Sequence, residues 1–306
     1  MTRLGSSDLD VSPLCLGGNV FGWTADEGAS FAVLDAYAQA GGNFIDTAAV
    51  YSAWVPGNQG GESETIIGNW LRARGNREQM IVATKINGSP RLDRTGVLAG
   101  AEACLERLQS DYIDLFYIHH DDPETPLEET LGAFGELVDD GRIRAIGLSN
   151  FEQERLREAL DVIEREGLPP IAALQNEYNL VSRDYEQGPR ELVEQEGIAM
   201  LPYYALAAGL LTGKYRPDGE AVDSPRAKMI SGDSTERAFA VLPVLDEVAA
   251  AHSTTQSAVA LAWLAAQPTV AAPIASARSV EQLDQLLAFL PLRLSEAELD
   301  ALNRAG

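Results

Sequence analysis

Residues 80–118 read MIVATKINGSPRLDRTGVLAGAEACLERLQSDYIDLFYI. Two short runs rich in β-branched and aromatic residues, 80–86 and 112–118, flank an amphipathic stretch near 94–108. Parallel strands need a crossover of a dozen or more residues, usually a helix, so this spacing predicts a strand–helix–strand unit. The same rhythm continues in both directions. Strands are expected at 13–18, 43–48, 80–86, 112–118, 143–149, 171–176, 198–203 and 270–275. Helices are expected near 27–41, 61–74, 94–108, 127–140, 152–166, 184–196, 235–251 and 279–289. The helix at 152–166 shows its period well, with Leu156, Ala159, Leu160 and Ile163 on one face and Asn150 placed to cap its start. Eight such units in series predict an α/β fold, a (β/α)8 TIM barrel, as one domain spanning residues 1–306. Helical patterns at 254–266 and 295–303 exceed the eightfold count and read as additions. Connections at 49–62 and 205–234 are long enough to expect a functional role.

The bulk composition narrows the function classes. The 306 residues carry 46 acidic against 23 basic side chains, a net charge of −23. A field of that sign repels nucleic acid and anionic membrane, so neither is expected as a partner. No apolar run of about 18 residues is present, which argues against a membrane span. The start, MTRLGSSDLD, has no apolar run behind its arginine, so no signal peptide is expected. Cys15 and Cys104 form no metal-ligand pattern and fit buried thiols in a reducing compartment, hence a cytoplasmic location. No metal is expected.

A barrel of this kind carries its active site where the parallel strands end. The polar residues at those ends are Asp46, Lys85, His119, Ser149, Asn150, Gln175, Asn176, Tyr203 and Ser276, with Tyr51 in the loop after Asp46. A carboxylate, an amine, an imidazole and a phenol therefore converge on one rim. Reduction of a carbonyl needs a hydride donor on one side and a proton donor near the oxygen. Tyrosine can donate, and a nearby ammonium such as Lys85 favours phenolate and lowers its pKa. A lowering by about three units corresponds to roughly 4 kcal/mol. Asp46 would keep Lys85 charged, and His119 would bond the substrate oxygen. Each residue taken alone has a structural alternative: a strand-end Asp caps a turn, and a loop Tyr packs. Their placement on successive strands is the informative part.

A longer series of motifs carries a resemblance. The segments GGNFIDTAAVYS (41–52), GGESETIIGNWL (60–71), ATK (83–85), DLFYIHHDDPETPLEETL (114–131), GRIRAIGLSNF (141–151), QNEYNL (175–180) and AGLLTGKY (208–215) together resemble the aldo-keto reductase family, in its order and over nearly the whole chain. The resemblance implies Tyr51 as general acid/base, Lys85 and Asp46 as its tuning pair, and His119 as the residue orienting the carbonyl. It also implies a nicotinamide cofactor. Ser149, Asn150 and Gln175 would read its carboxamide and Tyr203 would stack on its ring. The stretch from Leu206 through Gly209 and Leu211 to Tyr215 would wrap the pyrophosphate.

The chain departs from the family pattern at two places. Tyr204, Ala205 and Leu206 stand where relatives often read Ser-Pro-Leu. Ser276, Gln282 and Leu286 stand where many carry Lys, Arg and Asn, and Arg278 remains as the cation best able to pair with a 2′-phosphate. NADP(H) is therefore the expected cofactor, with NAD(H) left open. Trp23, Trp54 and His120 are expected to line a substrate pocket suited to an aryl or small apolar aldehyde or ketone. The same residues leave two other functions open: a Schiff-base aldolase acting through Lys85, and a non-catalytic subunit that senses its cofactor. Whether the chain is a monomer or a homo-oligomer stays open at this level.

Overall fold

The computed structural model describes residues 1–88, 91–217, 219 and 233–306. Eight parallel strands form one sheet, in the order β10-β3-β4-β5-β6-β7-β8-β9. They are β3 (Cys15–Gly17), β4 (Phe44–Asp46), β5 (Ile81–Ile86), β6 (Ile113–Ile118), β7 (Ile143–Ser149), β8 (Ile171–Gln175), β9 (Ala199–Met200) and β10 (Ile274–Ala275). The sheet closes on itself where the chain before β10 runs beside β9. Met200 N donates to Thr269 O at 2.8 Å, Ala271 N to Met200 O at 2.9 Å, and Ile274 N to Pro202 O at 2.9 Å. The result is a (β/α)8 barrel. Helices α1 (Glu27–Gln39), α2 (Glu62–Arg74), α3 (Arg94–Leu108), α4 (Leu127–Asp139) and α5 (Gln153–Glu166) follow in turn. After them come α6 (Asp184–Gln187), α7 (Arg190–Gln195), α8 (Asp233–Ala251), α9 (Gln256–Ala265), α10 (Val280–Leu287) and α11 (Glu296–Ala305). Among the described residues no helix is long and apolar enough to cross a membrane.

Strands β5 to β8 lie close to the predicted bounds, and the outer ones are shorter. Proline accounts for three of them, though not for β4, whose predicted run 43–48 has none. Pro13, Pro202 and Pro273 sit inside the predicted runs at 13–18, 198–203 and 270–275, and none can donate to a ladder. The predicted helix at 184–196 likewise splits at Gly188–Pro189 into α6 and α7. Asn150 does not cap α5 as expected. That helix begins after Glu152, and Asn150 adopts a left-handed conformation with φ of 60°. Of the long connection at 205–234, positions 218 and 220–232 lie outside the described residues.

Side chains alternate along each strand, so the barrel has two cores. Val82 and Ile86 of β5 face the helices, in the large outer cluster. Ile81 and Ala83 face the barrel interior with Phe44, Leu115, Tyr117, Ala145, Ala173 and Leu201. One element had no sequence signal strong enough to predict it. Strands β1 (Thr2–Arg3) and β2 (Asp10–Val11) form an antiparallel hairpin. Its buried Leu4, Leu9 and Val11 join the inner cluster. A side chain at Gly5 would stand 2.2 Å from Ala172 O and 3.1 Å from Gly197 O, so the hairpin packs against the strands' N-terminal ends.

Outside the barrel, α2 and α3 approach closely at Gly68, where an added Cβ would meet Arg107 O at 2.4 Å. Fully buried Glu64 on α2 bonds Thr84 Oγ1 of β5 at 2.5 Å and Arg107 Nε of α3 at 2.6 Å. The first contact ties the helix layer to the strand that carries Lys85, and the second joins α2 to α3.

Candidate active site

The inward columns of the strands end in the residues singled out above. Stepping by two, β4 gives Phe44 then Asp46, and β5 gives Ile81, Ala83 then Lys85. The column of β6 runs Leu115, Tyr117, His119; that of β7 runs Ala145, Gly147, Ser149; β8 contributes Ala173 then Gln175. Apolar side chains fill the lower barrel, and the inward column of each of these five strands ends in a polar residue. Gly147 leaves room for its neighbour, because a Cβ there would stand 2.4 Å from the Tyr117 ring.

Lys85 is fully buried, and its three ammonium hydrogens have three acceptors: Asp46 Oδ2 at 2.7 Å, Thr47 O at 2.7 Å and Tyr51 Oη at 3.0 Å. Tyr51 Oη also donates to Asp46 Oδ2 at 3.3 Å. Tyr51 reaches this position because the loop turns tightly after β4, with Tyr51 N bonded to Ala48 O. Ser52 Oγ then anchors the loop to Phe21 O at 2.7 Å, and Asn58 Nδ2 bonds both Gly22 O and Ser52 O. The His119 ring lies 6.2 Å from that of Tyr51 and stacks on His120 at 4.8 Å. The expected tetrad is thus brought together.

Its electrostatics differ from the sequence-based expectation in one respect. Burial, with the Asp46 carboxylate second, holds the Tyr51 phenol well above its ordinary pKa rather than below it. Both outweigh the ammonium, whose own pKa burial pushes down and Asp46 partly restores. His119 is pushed down to about 2 by burial, then by Lys85 and His120. At neutral pH the site therefore presents a neutral phenol and a neutral imidazole. That is the protonation state a proton donor requires.

A cavity of about 740 Å³ opens above the tetrad. Tyr51, His119, His120, Trp23 and Trp54 line one part of it, and Ser149, Asn150, Gln175 and Tyr203 the next. Trp23 and Trp54 meet edge-to-face at 5.6 Å, and Trp54 is 51% exposed at the mouth. The lining continues along Leu206, Ala208, Gly209 and Lys214 to Ser276, Arg278, Gln282 and Leu286. Ala207, Ala208 and Gly209 all have positive φ, which bends this strap tightly beside the cavity.

Two expected residues are not on the lining. Lys85 lies behind Tyr51. Leu211 is buried in the outer core, with its backbone N bonded to Leu206 O, so its side chain packs the strap down instead of facing a ligand. Several of the others are already engaged. Tyr203 Oη donates to Asn150 Oδ1 at 2.7 Å, and Asn150 Nδ2 donates to His119 O at 2.9 Å. Ser276 Oγ bonds Asn19 Oδ1 at 2.7 Å, and Gln282 Oε1 accepts from Arg278 N at 3.1 Å.

Sequence reasoning missed Asn19, Thr255, Gln256 and Ser257, which also line the cavity. Thr255 caps α9 by accepting from Ala258 N, so the positive end of that helix faces the site. A threonine before an apolar helical run was the available signal. Lys214 lay within the quoted motif AGLLTGKY and is one of three lysines in the chain.

Comparison with known proteins agrees with this geometry. The aldo/keto reductase family model matches residues 13–306. The Escherichia coli protein tas is 32% identical over 338 residues, covering 99% of this chain and 97% of tas. Aryl-alcohol dehydrogenase GME11368 of Pestalotiopsis microspora is 30% identical, covering 98% of this chain and 80% of its own. The crystal structure of the thermostable aldo-keto reductase Tm1743, in complex with the inhibitor epalrestat, matches with a TM-score of 0.80 at 30% identity, over 99% of this chain and 98% of that one. The chain belongs to the aldo-keto reductase family of oxidoreductases.

Proposed function

We propose that this protein reduces an aldehyde or ketone to the alcohol with a nicotinamide dinucleotide, NADP(H) in preference to NAD(H). The observation that carries this reading is the Tyr51 hydroxyl, which lines the cavity while the Lys85 ammonium donates to it from behind at 3.0 Å.

The cavity residues fit such a cofactor. Its volume lies in the upper part of the range of about 300–1,000 Å³ usual for ligand and cofactor sites. Side-chain amides and hydroxyls stand at the tetrad end, where a carboxamide needs both donors and acceptors. Lys214, the start of α9 and Arg278 supply positive charge along the rest, which suits phosphates on a chain of net charge −23. Ser149, Asn150, Gln175 and Tyr203 would hold the nicotinamide end, and Ser276, Arg278 and Gln282 the adenosine end. A nicotinamide held there would supply the hydride for the carbonyl carbon.

The chain's own part is the proton. Tyr51, neutral at physiological pH, transfers its hydroxyl proton to the carbonyl oxygen as charge develops there. Lys85 then stabilises the phenolate left behind, and Asp46 keeps Lys85 charged despite its burial. His119, also neutral, offers one ring N–H to orient the carbonyl. Trp23 and Trp54 give the mouth an apolar, aromatic character that favours an aryl or small apolar carbonyl, and one relative is named for an aryl alcohol. The aldolase alternative loses support, because Lys85 Nζ is fully buried and all three of its hydrogens are engaged. The test is a panel of aryl and alkyl aldehydes and ketones run with NADPH and NADH in parallel. Consumption of NADPH with formation of the alcohol is expected; trapping of substrate on Lys85 by borohydride would overturn the reading.

A further inference from the structure

Gln175 reaches across the barrel. Its strand, β8, lies four places from β4 in the closed sheet of eight, directly opposite. From there Gln175 Nε2 donates to Asp46 Oδ1 at 2.8 Å. Both side chains are 2% exposed or less. Gln175 is fixed at its own end too, since its backbone O accepts from Asn150 N at 3.1 Å.

The bond divides the Asp46 carboxylate into two halves. Oδ2 serves Lys85 and Tyr51, and Oδ1 serves Gln175. A carboxylate paired with an ammonium has no proton to give and can only accept. It therefore fixes which end of the Gln175 amide faces it, the nitrogen. An amide free to rotate would present either end.

We infer that Gln175 is a positioning residue for Asp46, setting the carboxylate's rotation so that Oδ2 faces Lys85 and Tyr51. The inference rests on the reductase reading and deepens it. Occupancy of the cofactor end and the geometry of the proton donor are then coupled through one side chain.

The test uses the full chain, NADPH, 4-nitrobenzaldehyde as probe, and three variants. Gln175→Leu keeps the bulk and removes the bond to Asp46. Gln175→Glu can donate to Asp46 only while its new carboxyl is protonated. Ser149→Ala weakens the cofactor side alone. Lys85 is followed independently, in cofactor-free protein, by NMR of isotope-labelled lysine; with three lysines in the chain its signal is assigned against Lys85→Met.

Gln175→Leu should lower kcat at saturating NADPH by roughly tenfold or more. It should also move the Lys85 titration to higher pH, because the carboxylate's charge is shared among fewer donors. Gln175→Glu should recover kcat toward acidic pH, a rescue that a merely structural role does not predict. Ser149→Ala should raise the Kd for NADPH and leave the Lys85 signal in place. The inference is overturned if Gln175→Leu changes only the Kd for NADPH, with the Lys85 titration and the pH dependence of kcat as in wild type. Should the wild-type protein leave every carbonyl untouched, the reductase reading falls, while the Lys85 resonance still decides this one.

Discussion

The phenol oxygen of Tyr51 accepts from Lys85 at 3.0 Å while its own proton points to Asp46 at 3.3 Å. A single hydroxyl is thus shared between an ammonium that favours its anion and a carboxylate that opposes it. In this structure the carboxylate and burial win, which leaves the proton on the oxygen until a stronger base arrives. A developing alkoxide is such a base.

Replacing Tyr51 by Phe should therefore abolish carbonyl reduction and leave NADPH binding nearly unchanged. The ring remains, and the hydroxyl serves the proton step alone. Steady-state rates paired with a fluorescence titration of NADPH check both halves; a variant that kept wild-type kcat would remove Tyr51 from the mechanism.

Lys85 should set an alkaline limit to the rate. Burial holds its pKa below the ordinary lysine value and holds that of Tyr51 above the ordinary tyrosine value, so on raising the pH the ammonium discharges first. The nascent phenolate then loses its stabilising charge, and kcat should fall. Lys85→Met should be slow at every pH and lack that alkaline fall. A kcat–pH profile of the two proteins distinguishes them.

His119 links pH to stability. Its folded pKa, about 2, is depressed from the ordinary 6.5, so between these values the unfolded chain binds a proton that the folded chain refuses. The contribution is fully present above about pH 6.5 and is lost as pH falls below it, by roughly 1.4 kcal/mol per pH unit for one such proton. His119→Gln carries no such group. The difference in unfolding free energy between the two proteins should shift with that slope in denaturant titrations, and a constant difference from pH 7 to pH 5 would contradict it.

Away from the site, Glu64→Ala should cost about 2–4 kcal/mol, reduced from the usual figure for a broken buried pair because Arg107 is partly exposed. Gly68→Ala should destabilise as well, since its Cβ has no room against the backbone of α3. Thermal or denaturant unfolding measures both. Retention of wild-type stability by either would mean that α2 and α3 can shift apart.

At the adenosine end, Arg278→Ala should weaken NADPH by roughly ten- to a hundredfold, the range for a charge-assisted hydrogen bond, and leave NADH nearly unaffected. Equal loss for both cofactors would place Arg278 on the shared part of the dinucleotide or outside the site.

Much of this was legible in the sequence because a parallel strand repeats every two residues. Asp46, Lys85, His119, Ser149 and Gln175 each stand one or two such steps beyond an apolar inward residue, so strand ends and site residues were found together. The barrel's weakest strands were misjudged where Pro13, Pro202 and Pro273 interrupt pairing, a local effect that β-branched content does not report. Asn150 looked like a helix cap because an asparagine just before a helical run commonly is one; only the third dimension shows its side chain turned to His119 O. Leu211 was grouped with the strap because adjacency along the chain does not say which side a residue faces. Thr255 was missed for the opposite reason: it is remote from any strand end and reaches the cavity through the folding of α9. The balance of charge at Tyr51 was the least legible of all, because burial, which decides it, has no sequence motif.

The hairpin that packs beneath the barrel has a kinetic consequence. Leu4, Leu9 and Val11 join Phe44, Ile81 and Leu115 in an apolar interior below the tetrad, on the side away from the cavity. In the proposed reduction Tyr51 would have to regain a proton after each turnover, and this apolar floor disfavours a path from below. Recharging through the mouth that admits substrate would then be expected to wait on departure of the product.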